Sequence, residues 1–309
     1  MLRSRKIGFV LSGAAMVSLL LAGCGSTNTT GSSAGNNTSS QTGTAPSTGS
    51  KNITIGYVDW AEDVATSYLW KDLLTQKGYH VTLTSMSDAG PLFAGLSKGG
   101  LNVFLDTWLP TTHKAYIQQF GSNLVDLGKW YEGGTTIGFV VPKYVYDSGI
   151  HSIADLNAHA SEFGNQIVGI DPGAGEMAIA KKAVQDYGLK LHLTASSSAA
   201  MLTVLQKDYA AKKPVVVTLW SPHWAFTKYK LKYLSDPKGV FGKAGWIQTE
   251  ANKKWAAKNP TVVGWFKNFK LTPQQLGSLE LDINSASSKN AGVEKWIKNN
   301  QSVVNSWFQ

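Results

Sequence analysis

Three tryptophans stand where they could do chemistry: Trp60, Trp108 and Trp220 each follow a short apolar, strand-like run. A side chain at the mouth of a parallel strand points out of the sheet toward the ligand side. A large ring there is unfavourable unless something covers it. Aromatic faces carry partial negative charge, so several of them round a quaternary ammonium make a cage, worth about 2 kcal/mol or more when desolvated. The chemistry implied is recognition of a methylated cation. An anion has its own provision. His113 lies five residues after Trp108 in WLPTTH, and the segment DPGAGE brings the amides of Gly175 and Glu176 to a helix start. Free amides at a helix start favour a carboxylate or phosphate, and glycines let it approach the backbone. Together these residues describe a zwitterion with a trimethylammonium head and a carboxylate tail.

Glu176 is the discordant member of this set. Turned away from the ligand, its acid suits a helix N-terminus and its amide still serves. Turned inward, it would repel a carboxylate and favour a cation without one, such as choline. Asp59, Glu62, Asp63 and Asp106 also fall near the strand ends, and their types fit helix starts and turns better than ligand contacts. His223 and Trp224 sit just past Trp220, where packing against a hinge is expected. Trp130 and Tyr131 are expected to brace a hinge strand, and Trp246, Trp255, Trp265, Trp296 and Trp307 to serve as packing residues.

The elements that must hold these residues alternate along the chain. Residues 53–58, 81–84 and 103–105 read as strands, separated by helices over 61–77 and 91–98. A second series has strands near 138–142, 167–170, 215–219 and 232–234, with helices over 176–187 and 198–212. The last sixty residues read as helical (252–257, 261–268, 272–283, 292–308) and complete the first lobe. The βαβ order implies α/β lobes, each a mainly parallel sheet flanked by helices. Two crossings, near 137–142 and 232–247, divide the chain into a first lobe (52–139 with 236–309) and a second lobe (140–235). In such sheets ligands sit at the carboxyl ends of the strands, so two sets of strand ends would face one cleft.

Five segments carry a family resemblance: GYVDWAEDVA (56–65), DTWLPTTHKAY (106–116), WYEGG (130–134), GIDPGAGEM (169–177) and TLWSPHWAF (218–226). From residue 52 onward the chain resembles the substrate-binding proteins of glycine betaine/proline betaine ABC importers, which have the two-lobed type II periplasmic-binding fold. The resemblance implies that Trp60, Trp108 and Trp220 cage the ammonium while His113 and the amides of Gly175 and Glu176 hold the carboxylate. It also implies a membrane permease as partner. A choline- or carnitine-preferring receptor of the same class, and a sensory or adhesion lipoprotein, are the alternative readings.

The N-terminus decides the compartment. Residues 1–23 have a basic start, an apolar run and small residues at the end, the pattern of a secretory signal. The apolar core is shorter than the roughly 20 residues a membrane-spanning helix needs. The run ends in Leu21-Ala22-Gly23-Cys24, which resembles a bacterial lipobox, and Cys24 is the one cysteine of the chain. A lipid anchor on Cys24 at the outer face of the cytoplasmic membrane is therefore expected. Residues 24–51, rich in Gly, Ser, Thr and Asn, form a tether with a reach of roughly 25–30 Å.

Composition excludes several classes. A single cysteine leaves no disulfide framework within one chain of 309 residues. The net charge of +9 falls by three to +6 once Arg3, Arg5 and Lys6 are removed, too mild and scattered for nucleic-acid binding. There is no HExxH, GxSxG or Walker-type loop, and no histidine pair at metal-ligand spacing. No enzyme, no cofactor, no metal and a monomer are expected.

Overall fold

The computed structural model describes residues 51–309; the expected signal segment, Cys24 and the tether up to Ser50 lie outside the described residues. The first lobe opens with β1 (Asn52–Tyr57), α1 (Ala61–Gln76), β2 (His80–Ser85), α2 (Ala89–Lys98), β3 (Val103–Leu109), α3 (Lys114–Phe120) and β4 (Leu124–Lys129). The second holds β5 (Thr136–Pro142), α4 (Lys143–Tyr146), β6 (Gln166–Val168), α5 (Gly175–Asp186), β7 (His192–Thr194), α6 (Ser198–Ala210), β8 (Val217–Ser221), α7 (Ala225–Lys228) and β9 (Leu231–Tyr233). The chain then returns through β10 (Trp246–Asn252) to α8 (Lys253–Lys258), α9 (Pro260–Asn268), α10 (Pro273–Ser285), α11 (Lys289–Asn299) and α12 (Gln301–Ser306).

The two sheets have one plan. Their strand orders are β2-β1-β3-β10-β4 and β7-β6-β8-β5-β9. Three strands in each pair in parallel, and the fourth runs antiparallel to both its neighbours. That opposing strand is the one delivered from the other lobe: β5 enters the second sheet and β10 re-enters the first. The mainly parallel sheets expected from the sequence are thus mixed, each by one inserted strand. Residues 137–142, expected as a crossing, belong instead to β5 inside the second sheet. The two crossings touch where Thr135 pairs with Gly245.

Local sequence sets the helix boundaries. Asp88 caps α2 by accepting from the Ala89 amide, and Gly99 ends it in the left-handed region at φ 82°. Ser197 caps α6, and Thr272 with Gln275 forms a reciprocal capping box ahead of Pro273 on α10. The helix expected over 292–308 is two helices, broken at Asn300. The C-terminal helices pack on the first lobe through aromatic rings. Trp70 of α1 is fully buried, 4.3 Å between ring centroids from Phe266 and 6.1 Å from Trp307. Truncating a ring of that size in a core costs about 3–5 kcal/mol. Trp255, Trp296 and Trp307 are buried here, as packing residues should be, while Trp246 and Trp265 are half-buried.

Candidate ligand-binding site

β1, β3 and β8 end at the same gap between the lobes, and their continuations supply its walls. Trp60 follows β1, and Trp108 and Trp220 are the last-but-one residues of β3 and β8. Both latter tryptophans precede a proline by two residues, Pro110 and Pro222, and each proline follows a cis peptide bond. The gap holds about 300 Å³ of unfilled space, part of it open to solvent. Trp60, Trp108, Trp220, His113, Gly175 and Glu176 all line it, with Glu62, Thr112, Ile137, Ile170 and Ala174 between them. All six residues singled out from the sequence therefore meet in one place. Trp60, Trp108 and His113 come from the first lobe; Trp220, Gly175 and Glu176 come from the second.

Each indole N–H is held by a carboxylate. Trp108 Nε1 donates to Asp106 Oδ1 at 2.8 Å within β3. Trp220 Nε1 donates across the cleft to Glu62 Oε2 at 2.7 Å, and Trp60 Nε1 donates across it the other way to Asp171 Oδ2 at 3.2 Å. These bonds fix the N–H edge of each ring. Sequence reasoning assigned Glu62 and Asp106 to turns and helix starts, and it passed over Asp171. Nothing in residue type distinguishes a carboxylate that caps a helix from one that holds an indole across a gap.

These carboxyls lie in an apolar, electronegative interior. Burial raises Glu62 well above the usual carboxylate range, and the Asp106 and Glu280 carboxyls beside it add to the rise. Burial pushes Asp106 up to about 7 and Glu280 up to about 8. Asp63, buried in the first turn of α1, is also raised, mainly by burial, while its Oδ2 accepts from the Val58 amide at 2.8 Å. Asp59 stays at the surface, paired with Lys289 at 3.2 Å.

His113 is stacked on Trp60, with centroids 5.8 Å apart and planes inclined by 21°. Its Nδ1 accepts from the Trp108 amide at 3.0 Å, so the ring proton resides on Nε2. Burial pushes the imidazole down to about 3, which makes it a neutral donor at physiological pH. His223 is likewise buried and pushed down to about 3, but its Nδ1 accepts from the Ala225 amide and it does not line the cavity. It packs edge-on against Trp220, 4.9 Å between centroids.

At the opposite wall, α5 begins at Gly175 after the extended Ala174. The amides of Gly175 and Glu176, its first two residues, have no preceding turn to donate to, whereas that of Met177 donates to the Ala174 carbonyl at 2.9 Å. A Cβ on Gly175 would lie 1.9 Å from the Thr112 carbonyl oxygen of the other lobe, so only glycine allows this approach. Gly173 is gripped from both sides: its amide donates to Asp88 Oδ2 at 2.6 Å, and Tyr116 Oη donates to its carbonyl at 2.7 Å. The direction of Glu176 is settled by Gly138, whose amide donates to Oε1 at 3.3 Å. Its carboxyl thus leans on β5, where burial pushes it up to about 8.

The sequence model described as the substrate-binding domain of ABC-type glycine betaine transport systems matches residues 51–299. The chain belongs to that family. Family membership places it among non-enzymatic transport proteins. Among solved structures, lactococcal OpuAC in its closed-liganded conformation with glycine betaine is 33% identical, with a TM-score of 0.77 over 84% of this chain and 99% of that one. The glycine betaine, L-proline-binding protein ProX of Borrelia burgdorferi is 28% identical, with a TM-score of 0.77 over 83% and 96%. The glycine betaine/carnitine transport binding protein GbuC of Listeria monocytogenes is 41% identical over 144 residues, 46% of this chain and 48% of that protein. The match thus spans about half the length of that relative.

Among the described residues no helix is long and apolar enough to cross a membrane, and no group of three or more His, Cys, Asp or Glu could hold a metal ion.

Proposed function

We propose that this protein is the receptor of an ABC importer, binding glycine betaine or a related quaternary-ammonium osmolyte between its lobes and delivering it to a membrane permease. The observation that carries the reading is the convergence of Trp60, Trp108, Trp220, His113 and the start of α5 on one cavity. The three indoles offer electron-rich faces to the methylated nitrogen. The neutral Nε2–H of His113 and the Gly175 and Glu176 amides receive the carboxylate, which the helix start favours electrostatically. Closure of the lobes completes the site and buries the ligand, and the closed form docks on the permease. The receptor works outside the cytoplasm, held at the membrane by lipid on Cys24 and reaching the permease on its tether. Support comes from the family match and from relatives whose names carry glycine betaine transport.

Calorimetry against glycine betaine, proline betaine, carnitine and choline tests the reading. Binding of glycine betaine is expected, and Trp108→Ala or Trp220→Ala should abolish it. Wild-type affinity in both variants would remove the cage. Cys24→Ser should release the protein from cell membranes into the soluble fraction; retention there would remove the anchor.

A further inference from the structure

The three cage tryptophans are not held in the same way, and the difference follows the hinge. Trp108 and its acceptor Asp106 sit on one strand, so that hydrogen bond exists whatever the lobes do. Trp60 belongs to the first lobe and its acceptor Asp171 to the second. Trp220 belongs to the second lobe and its acceptor Glu62 to the first. The two lobes therefore exchange indole N–H donors across the cleft, each giving one and taking one.

We propose that Glu62 and Asp171 are positioning residues that couple lobe closure to cage assembly, by fixing the Trp220 and Trp60 rings only when the lobes meet. In the open form Trp108 alone keeps its fixed orientation, as a preset wall on which the cation lands. Closing brings the N–H edges of Trp60 and Trp220 onto their acceptors and turns both faces to the ligand. Opening must break both bonds before the cation can leave. An oxygen accepting from the indole N–H also pushes electron density toward the ring, which strengthens its hold on a cation.

The groups around Glu62 fit this role. It is buried at 1% exposure, and its carboxyl faces those of Asp106 and Glu280, with no cation beside it. Such a buried carboxyl is costly unless donors satisfy it, and the Trp220 N–H satisfies its Oε2. Asp171 is only partly buried, which suits the outer of the two latches.

The proposal rests on the betaine reading, and the test separates the two. Stopped-flow tryptophan fluorescence with glycine betaine would give association and dissociation rates for wild type, Glu62→Leu, Glu62→Gln, Asp171→Ala and Asp171→Asn. Loss of an acceptor should speed dissociation about 10- to 100-fold while association changes less than about threefold. Glu62→Gln and Asp171→Asn keep an oxygen that accepts from the indole and should return dissociation to within about fivefold of wild type. Amide variants as damaging as the apolar ones, or a loss confined to association, would overturn the latch. Should Glu62→Leu fail to fold, the Asp171 pair decides alone. Should wild type bind no betaine, the functional reading fails. The latch is then read from ligand-free crystals of the closed form, in which Asp171→Ala and Glu62→Leu should turn the Trp60 and Trp220 rings away from the positions the amide variants keep; unturned rings would overturn it.

Discussion

The Trp108 amide donates to Nδ1 of His113 at 3.0 Å, which ties a wall of the cation cage to the donor proposed for the anion. The bond closes a six-residue turn at the end of β3, and the Thr112 hydroxyl reinforces it by donating to the Trp108 carbonyl at 3.1 Å. In the proposed site, one turn rather than two independent loops would read the distance between the two charges of the ligand. The same bond fixes the imidazole tautomer, because a ring nitrogen that accepts cannot also carry the proton.

His113→Ala should therefore discriminate between ligands. The variant loses a neutral donor to the carboxylate, so glycine betaine affinity should fall about 10- to 100-fold. Choline has no carboxylate and should lose less than about threefold. Calorimetry with both ligands checks this, and equal losses would show that His113 meets the cation or only supports the fold.

Much of this site was legible because its residues are chemically conspicuous. A tryptophan at a strand mouth invites the question of what covers it, and a glycine-flanked helix start invites an anion. The strands β1, β3 and β8 were legible through their apolar runs. β10 was not, for a physical reason. It is a central strand buried on both faces, yet Gln248, Glu250 and Asn252 alternate with Ile247, Thr249 and Ala251. Its polar residues bond among themselves and to neighbours, as Gln248 Nε2 does to Glu250 Oε1 at 2.8 Å, so no apolar run shows, and a bulge between Gln248 and Glu250 interrupts the alternation. β4 is an outer strand with two of its six residues buried, and β7 has three residues; neither carries enough apolar sequence to stand out. The indole acceptors were illegible for another reason: Glu62 and Trp220 are 158 residues apart, and only the folded hinge makes them neighbours.

Gly175 tests the closeness of the lobes. Its hydrogen faces the Thr112 carbonyl, and a methyl in that place would overlap backbone that has no free end to swing aside. Gly175→Ala should hold the lobes apart and weaken betaine binding at least about 100-fold. The ligand-free melting temperature should change little, because each lobe keeps its own core. Small-angle scattering with and without betaine reads the effect: wild type should contract, and the variant should not.

Glu176 serves β5 as well as α5. Glu176→Ala would leave the buried Gly138 amide without its acceptor, which costs about 1–3 kcal/mol. Glu176→Gln keeps an oxygen for that amide and should retain most of the stability. Urea unfolding of the two variants measures the difference. Equal stabilities would show that the Gly138 bond contributes nothing.

The buried acids give stability a definite pH dependence. Glu176 and Glu280 are pushed up to about 8 by burial, and Asp106 and Glu250 to about 7. In the unfolded chain each returns to the ordinary carboxylate range near 4, so from there up to about 8 the folded state binds more protons than the unfolded one. Their contribution is complete at low pH and is lost as pH rises through the folded values. His113 and His223 act in the opposite sense, because burial pushes both down to about 3 and the unfolded chain takes up their protons below about 6.5. The two effects compete between about pH 4 and 6.5. Above that range the histidines are neutral in both states and the acids act alone. The melting temperature should therefore fall steadily from pH 6.5 to 8.5, and Glu280→Gln, which cannot ionise, should flatten part of that slope. Calorimetric scans of wild type and variant at half-unit steps decide it; a melting temperature that rises over this interval would mean that these carboxyls are charged in the folded protein at neutral pH.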